Sequence, residues 1–198
     1  MNDNFQLLET GIEFTWDPKE LTKNFKSITS SNNTVISPPT GEACWQYYET
    51  GISFSRNFAE KFPEVCKEIV EVLSQLQKKC LKLENKSYLI NLFLEHKLTP
   101  DKVVLIKIVS GTSVSLHFDT TRSHAVNIGL KNSNTCLTHI YSGERVKNTL
   151  IDEKNIKYTF QMNDGDVYLL ATCQPHYVES LTSINKNEDR YLISYCLV

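Results

Sequence analysis

Four residues in the second half of the chain have the types and spacing to do chemistry: His117, Asp119, His176 and Arg190. The first two stand in Leu116-His117-Phe118-Asp119, which reads as the end of a strand. Side chains two apart on a strand share a face, so His117 and Asp119 can reach one metal ion together while Phe118 points away. Pro175-His176-Tyr177-Val178 supplies a third ligand at the start of a later strand. Two histidines and one carboxylate on one face of an octahedron leave three positions open, which suits non-haem Fe(II) and oxygen chemistry. Arg190 opens the last strand, in the apolar context Arg190-Tyr191-Leu192-Ile193. A guanidinium aimed into a barrel needs an anionic partner, because an unpaired buried charge is costly. A dicarboxylate cosubstrate would supply one, by a bidentate pairing at its far end.

These residues need a scaffold that brings distant strands together. From Lys102 onward the pattern is one of short strands: Lys102–Ser110, Ser113–Phe118, Ala125–Leu130, Cys136–Ser142, Lys157–Met162, Val167–Thr172, His176–Leu181 and Arg190–Val198. Gly111-Thr112, Lys131-Asn132-Ser133-Asn134, Asp164-Gly165-Asp166 and Asn185-Lys186-Asn187 supply turn chemistry between them. Eight strands without intervening helices imply two packed antiparallel sheets, as in a jelly roll. The second and seventh strands of a jelly roll are neighbours, which would bring His176 to His117 and Asp119.

The first half reads as helical and irregular. Over Asn57–Leu83 the apolar residues Phe58, Phe62, Cys66, Ile69, Val70, Leu73, Leu76 and Cys80 recur three or four apart, predicting one helix face. Pro63 falls early in that run and splits it or resets its start. Tyr88–Leu94 fits either a helix or a strand. The turn-rich stretch Ser27–Thr40 reads as a surface loop or a lid. Cys44-Trp45-Gln46-Tyr47-Tyr48 is an aromatic cluster suited to a core or a cleft wall. No linker separates the halves, so a single domain over 1–198 is expected, with 1–101 supporting a strand core at 102–198.

Composition narrows the function classes. The chain has 198 residues and a formal net charge of −2, with 40% hydrophobic and 10% aromatic residues. That is enough chain to bury a core, and aromatics at this level argue against disorder. The near-neutral charge makes duplex nucleic acid an unlikely partner. Apolar runs such as Val103–Ile106 fall far short of the ~20 residues that cross a bilayer. Met1–Thr10 lacks a basic start followed by an apolar stretch. A cytoplasmic protein without a membrane partner is therefore expected. The six cysteines are scattered with no C-x-x-C pair, which favours reduced, structural thiols over zinc ligands or disulfides.

His117-x-Asp119, His176 and Arg190, in this strand order, resemble the 2-oxoglutarate and Fe(II)-dependent oxygenase superfamily. Pro175-His176-x-Val178, with an arginine opening the final strand, is similar to the prolyl-hydroxylase-like branch. The resemblance covers about Lys102–Val198. It implies a mainly β fold with supporting helices (α+β): a cupin-like double-stranded β-helix of eight antiparallel strands. It also implies Fe(II) held by His117, Asp119 and His176, with 2-oxoglutarate chelating the iron and its distal carboxylate on Arg190. With O2, the outcome would be hydroxylation of a C–H bond and release of succinate and CO2. The carboxylate of Asp119 matters here, since related halogenases replace it with a small residue. Some branches carry Arg-x-Ser in the last strand. Here the serine is Ser194, four after Arg190, still on the same face and within reach of the cosubstrate.

Other polar residues have two readings each. Asn127 alternates with Val126 and Ile128 and would hydrogen-bond near the metal if it faced inward. Lys107 interrupts Val103–Val109 and either snorkels out or reaches into the cavity toward cosubstrate. Arg122, three after Asp119, either contacts an anionic substrate or, the favoured reading, is a solvated loop arginine; His124 and His139 read as structural or surface residues. The substrate is a peptide, an amino acid or another small molecule, and the oligomeric state is not encoded in any motif. Two rival functions stand beside the oxygenase. A cupin-like metalloenzyme would use no 2-oxoglutarate, and more often shows H-x-H with a following glutamate, absent here. A non-enzymatic jelly-roll binding module would carry these histidines and acids incidentally.

Overall fold

Alternating apolar residues with turn residues between them build a β-rich structure, seen here in a computed structural model that describes residues 4–22, 45–47, 52–55, 58–117, 119, 122–141, 156–182 and 188–197. The first half contributes β1 (Phe5–Glu9), α1 (Pro18–Thr22), β2 (Trp45–Tyr47), β3 (Ile52–Ser55), α2 (Phe58–Lys61), α3 (Pro63–Leu81) and α4 (Tyr88–Glu95). The second half is β4 (Val103–Ile108), β5 (Val114–His117), β6 (His124–Lys131), β7 (Cys136–Tyr141), β8 (Ile156–Gln161), β9 (Val167–Leu170), β10 (His176–Ser180) and β11 (Arg190–Leu197). The expected lid at Ser27–Thr40 lies outside the described residues, as do Cys44, Tyr48 and Phe118.

The strands form two antiparallel sheets, ordered β1-β9-β6-β11-β4-β3-β2 and β5-β10-β7-β8. Counting only β4–β11, the first sheet runs first-eighth-third-sixth in reverse and the second runs second-seventh-fourth-fifth. This interlocking is the double-stranded β-helix expected from the sequence, with all eight strands near their predicted bounds. The first half departs from expectation. Beside its helices it adds three strands that the helical and irregular reading does not contain: β1 pairs with β9 (Phe5↔Leu170) and β3 with β4 (Ile52↔Ile108), while β2 pairs with β3. These additions pair the backbone groups that β9 and β4 would otherwise leave open at sheet edges.

The larger sheet is covered on both faces. Along β11, Ile193, Tyr195 and Leu197 pack into the helix-side core, while Leu192 joins Ile52, Ile106 and Ile108 on the other side. The same parity puts Leu105 of β4, Val126 and Ile128 of β6, and Val167 and Leu169 of β9 on the helix side. This two-sided burial explains the nearly continuous apolar runs of β4 and β11.

The helices supply the outer layer. Pro63 sits in the first turn of α3, where a missing N–H costs nothing, and so divides the long apolar run into α2 and α3. Cys66, Ile69, Leu73, Leu76 and Cys80 of α3 are buried, at the predicted spacing. The Tyr88–Leu94 stretch is helical because Ser87 caps it, its hydroxyl accepting from Ile90 N–H at 3.2 Å. Gln77 Nε2 then ties α3 to α4, donating to the carbonyls of Phe93 at 2.6 Å and His96 at 3.0 Å. Among the described residues, no helix is long and apolar enough to cross a membrane.

Leu73 is fully buried between α3 and the larger sheet. Leu73→Ala should lower the unfolding free energy by about 2–5 kcal/mol in a urea titration, while leaving the strand pairings of the opposite face in place.

Candidate metal centre

The antiparallel register of β5 and β10 sets His117 directly opposite His176. Their ring centroids are 4.2 Å apart. Each ring places Nδ1 against a backbone carbonyl two residues earlier: Ser115 at 2.7 Å for His117 and Gln174 at 2.8 Å for His176. A carbonyl can only accept, so Nδ1 is the donor in both rings and Nε2 is the nitrogen left to face a metal. Burial, with the neighbouring His117 adding to it, pulls His176 down to about 4. His176 is thus neutral and ready to ligate at ordinary pH.

Asp119 follows two residues after His117. Its N–H donates to the Thr172 carbonyl at 2.9 Å, which pins the loop to the segment after β9. The ligand atoms offered by His117, Asp119 and His176 all lie within 4.8 Å of one another. Two imidazoles and a carboxylate match the donor set of a facial triad. The residues present therefore fit the metal that the sequence implies.

A cavity of about 110 Å³ holds this cluster, and Asn127, Arg122 and Arg190 also line it. Its apolar wall includes Ile106, Ile108 and Leu192, the inward set of β4 and β11. Arg190 is 5% exposed. Its Nη2 lies 3.9 Å from Met162 Sδ, and its Nε has no hydrogen-bond partner. Among the described residues it forms no ion pair, and burial pulls its guanidinium below the ordinary value, with Cys136 and Asp164 opposing. A buried cation with an unmatched Nε in the cavity of the triad is the feature an anionic ligand would complete.

The other expected residues divide. Asn127 faces the cavity, as its inward reading requires, and its Oδ1 accepts from Ser194 Oγ at 2.7 Å. Ser194 is fully buried and is not among the residues lining the cavity; its hydroxyl donates to Asn127 Oδ1 and accepts from Arg122 Nη1. Lys107 is turned away, which corrects the reading that placed it toward cosubstrate. The parity that sends Ile106 and Ile108 inward carries Lys107 to the opposite face, where its ammonium meets Asp189 at 2.9 Å.

Arg122 overturns its reading as a solvated loop residue. Its Nε donates to Asp119 Oδ2 at 2.6 Å, its Nη1 donates to Ser194 Oγ, and it lines the cavity. The only local hint was an acid and a base three residues apart. His139 stays outside the triad, bound to Thr159 Oγ1 at 2.9 Å and Glu179 Oε2 at 3.1 Å, and His124 contacts Ser123 Oγ at 2.8 Å. The cysteines among the described residues are free thiols, with Cys66 pushed up to about 12 by burial.

No protein-family model and no curated protein matches the chain. Solved structures similar to it include an oxidoreductase of the 2OG-Fe(II) oxygenase family from Burkholderia pseudomallei, at 14% identity over 48% of this chain and 41% of that one, TM-score 0.35. A mutant oxalate decarboxylase from Bacillus subtilis is 13% identical over 87% of this chain and 35% of its own, TM-score 0.38. Vicilin from Corylus avellana is 10% identical over 48% and 24%, TM-score 0.34. The chain spans less than half the length of each. The chain has a double-stranded β-helix fold, and that assignment rests on its own strand order.

An unpaired guanidinium in a largely apolar cavity should cost stability in the ligand-free protein. Arg190→Met, which fills similar volume without charge, should raise the unfolding free energy by about 1–4 kcal/mol in denaturant titration without metal or dicarboxylate.

Proposed function

We propose that the protein is an Fe(II)- and 2-oxoglutarate-dependent oxygenase that hydroxylates a C–H bond of a peptide, amino acid or other small substrate. A single domain over 1–198 would carry this activity, with the first half covering the larger sheet. The observation that carries the reading is one cavity holding both a His-Asp-His cluster and a buried arginine that forms no ion pair among the described residues. A dicarboxylate that meets a metal at one end and a guanidinium at the other would satisfy both groups. A cupin-like metalloenzyme without a 2-oxo acid would use the cluster and leave the buried charge of Arg190 unexplained.

In this reading His117 and His176 offer Nε2 to the iron, held in the right tautomer by the Ser115 and Gln174 carbonyls. Asp119 offers Oδ1, the oxygen that faces His117 at 3.9 Å from its Nε2. Arg190 pairs with the distal carboxylate of 2-oxoglutarate, in a bidentate geometry that also selects for chain length. Asn127 has committed its oxygen to Ser194, so its amide N–H groups are the part left to donate into the cavity. Ile106, Ile108 and Leu192 give the cavity apolar lining that would limit water around a bound ligand. Bound iron would supply oxygen activation coupled to decarboxylation of the 2-oxo acid, with succinate and CO2 as co-products.

Anaerobic titration with Fe(II) and then 2-oxoglutarate should give a visible charge-transfer band, and admitting O2 should release succinate. His176→Ala should lose both signals. Arg190→Met should keep Fe(II) binding and weaken 2-oxoglutarate binding by about 10–100-fold, the scale of a lost charged hydrogen-bond pair. Folded, iron-loaded protein that binds no 2-oxoglutarate would overturn the oxygenase reading and leave the cupin-like one.

A further inference from the structure

We propose that Arg122 is a positioning residue that holds Asp119 as a one-oxygen ligand and so keeps the remaining metal positions open; this rests on the metal reading above. A carboxylate can meet a metal through one oxygen or through both. Bidentate ligation by Asp119 would consume a position that a facial triad leaves for other ligands. In this structure Oδ2 is already engaged, because Arg122 Nε donates to it at 2.6 Å. Bonds between charged partners at this length are the strong ones. Oδ1 is the oxygen turned toward His117.

The guanidinium is itself held in place. Arg122 Nη1 donates to Ser194 Oγ, and the Ser194 hydroxyl in turn donates a hydrogen bond to Asn127 Oδ1 at 2.7 Å. Thr172 Oγ1 donates to the Arg122 carbonyl at 3.3 Å, while the Thr172 carbonyl accepts from Asp119 N–H at 2.9 Å. Asp119 and Arg122 are thus each tied to Thr172 after β9, and Arg122 reaches β11 through Ser194. With side-chain exposures of 19% for Arg122 and 17% for Asp119, water competes little for this pair.

Charge separates this role from a simple gain in metal affinity. A guanidinium beside a metal's carboxylate ligand repels the incoming dication and draws electron density from the carboxylate. Arg122 therefore does not serve to tighten metal binding. What it controls is the geometry of the ligand.

The test uses the full chain loaded anaerobically with Mn(II), as wild type and as Arg122→Met, Arg122→Gln, Arg122→Lys and Asp119→Ala. Bound water is counted from the broadening of the Mn(II) EPR lines in water carrying the magnetic oxygen isotope. Arg122→Met should bind Mn(II) at least as tightly as wild type and carry one fewer bound water. It should also bind 2-oxoglutarate about 10–100-fold more weakly, the usual scale for losing a group that orients a ligand. Arg122→Gln keeps a neutral donor and should show the same change at smaller size; it decides the matter if Arg122→Met fails to fold. Arg122→Lys, with a charged donor, should restore the hydration. Wild-type hydration in both the Met and Gln variants would overturn the proposal. Asp119→Ala separates the two possible failures. If it keeps wild-type Mn(II) affinity, the metal reading falls; if it loses Mn(II) while Arg122→Met keeps wild-type hydration, only the role of Arg122 falls.

Discussion

A buried guanidinium that forms no ion pair among the described residues is the constraint around which this cavity is arranged. Arg190 is 5% exposed, its Nε is unmatched, and sulfur atoms rather than carboxylates lie against it. A fold selected for stability alone would remove such a charge, because an apolar side chain of similar volume costs less. Its retention is intelligible if a ligand completes it. On the proposed reading, the His-Asp-His cluster in the same cavity would take the other end of that ligand, and Ile106, Ile108 and Leu192 line the cavity beside both groups.

The scaffold makes this arrangement affordable by separating two tasks onto two faces of one sheet. Residues of one parity in β4, β6, β9 and β11 pack against α3 and α4 and form the main core. Residues of the other parity line the cavity, so Arg190 and Asn127 stand on strands anchored from behind. The smaller sheet supplies the histidines through a single pairing of β5 and β10. Rigid strands thus carry His117, His176 and Arg190, while the loop bearing Asp119 is fixed by Thr172 and Arg122.

Much of this was legible in the sequence because its signals are local. Short apolar or alternating runs with intervening Gly, Asn and Asp residues mark all eight strands of the β-helix, and the parity of His117 and Asp119 puts both on one face. The three strands of the first half were hidden because they are short, and their stability comes from pairing with β4 and β9 rather than from their own pattern. Tyr88–Leu94 was ambiguous as an apolar run; the Ser87 cap resolves it. Lys107 could not be oriented because β4 is apolar on both faces, and parity alone does not say which face is inward. Arg122 was missed for a different reason. Its partner Ser194 is distant in sequence and meets it only when β11 lies beside β6.

The most direct measurement is an anaerobic crystal structure with Mn(II) and 2-oxoglutarate. The account predicts an anomalous peak shared by His117 Nε2, His176 Nε2 and Asp119 Oδ1, with the distal carboxylate of the 2-oxo acid on Arg190. A metal bound elsewhere, or a dicarboxylate that leaves Arg190 unpaired, would contradict it.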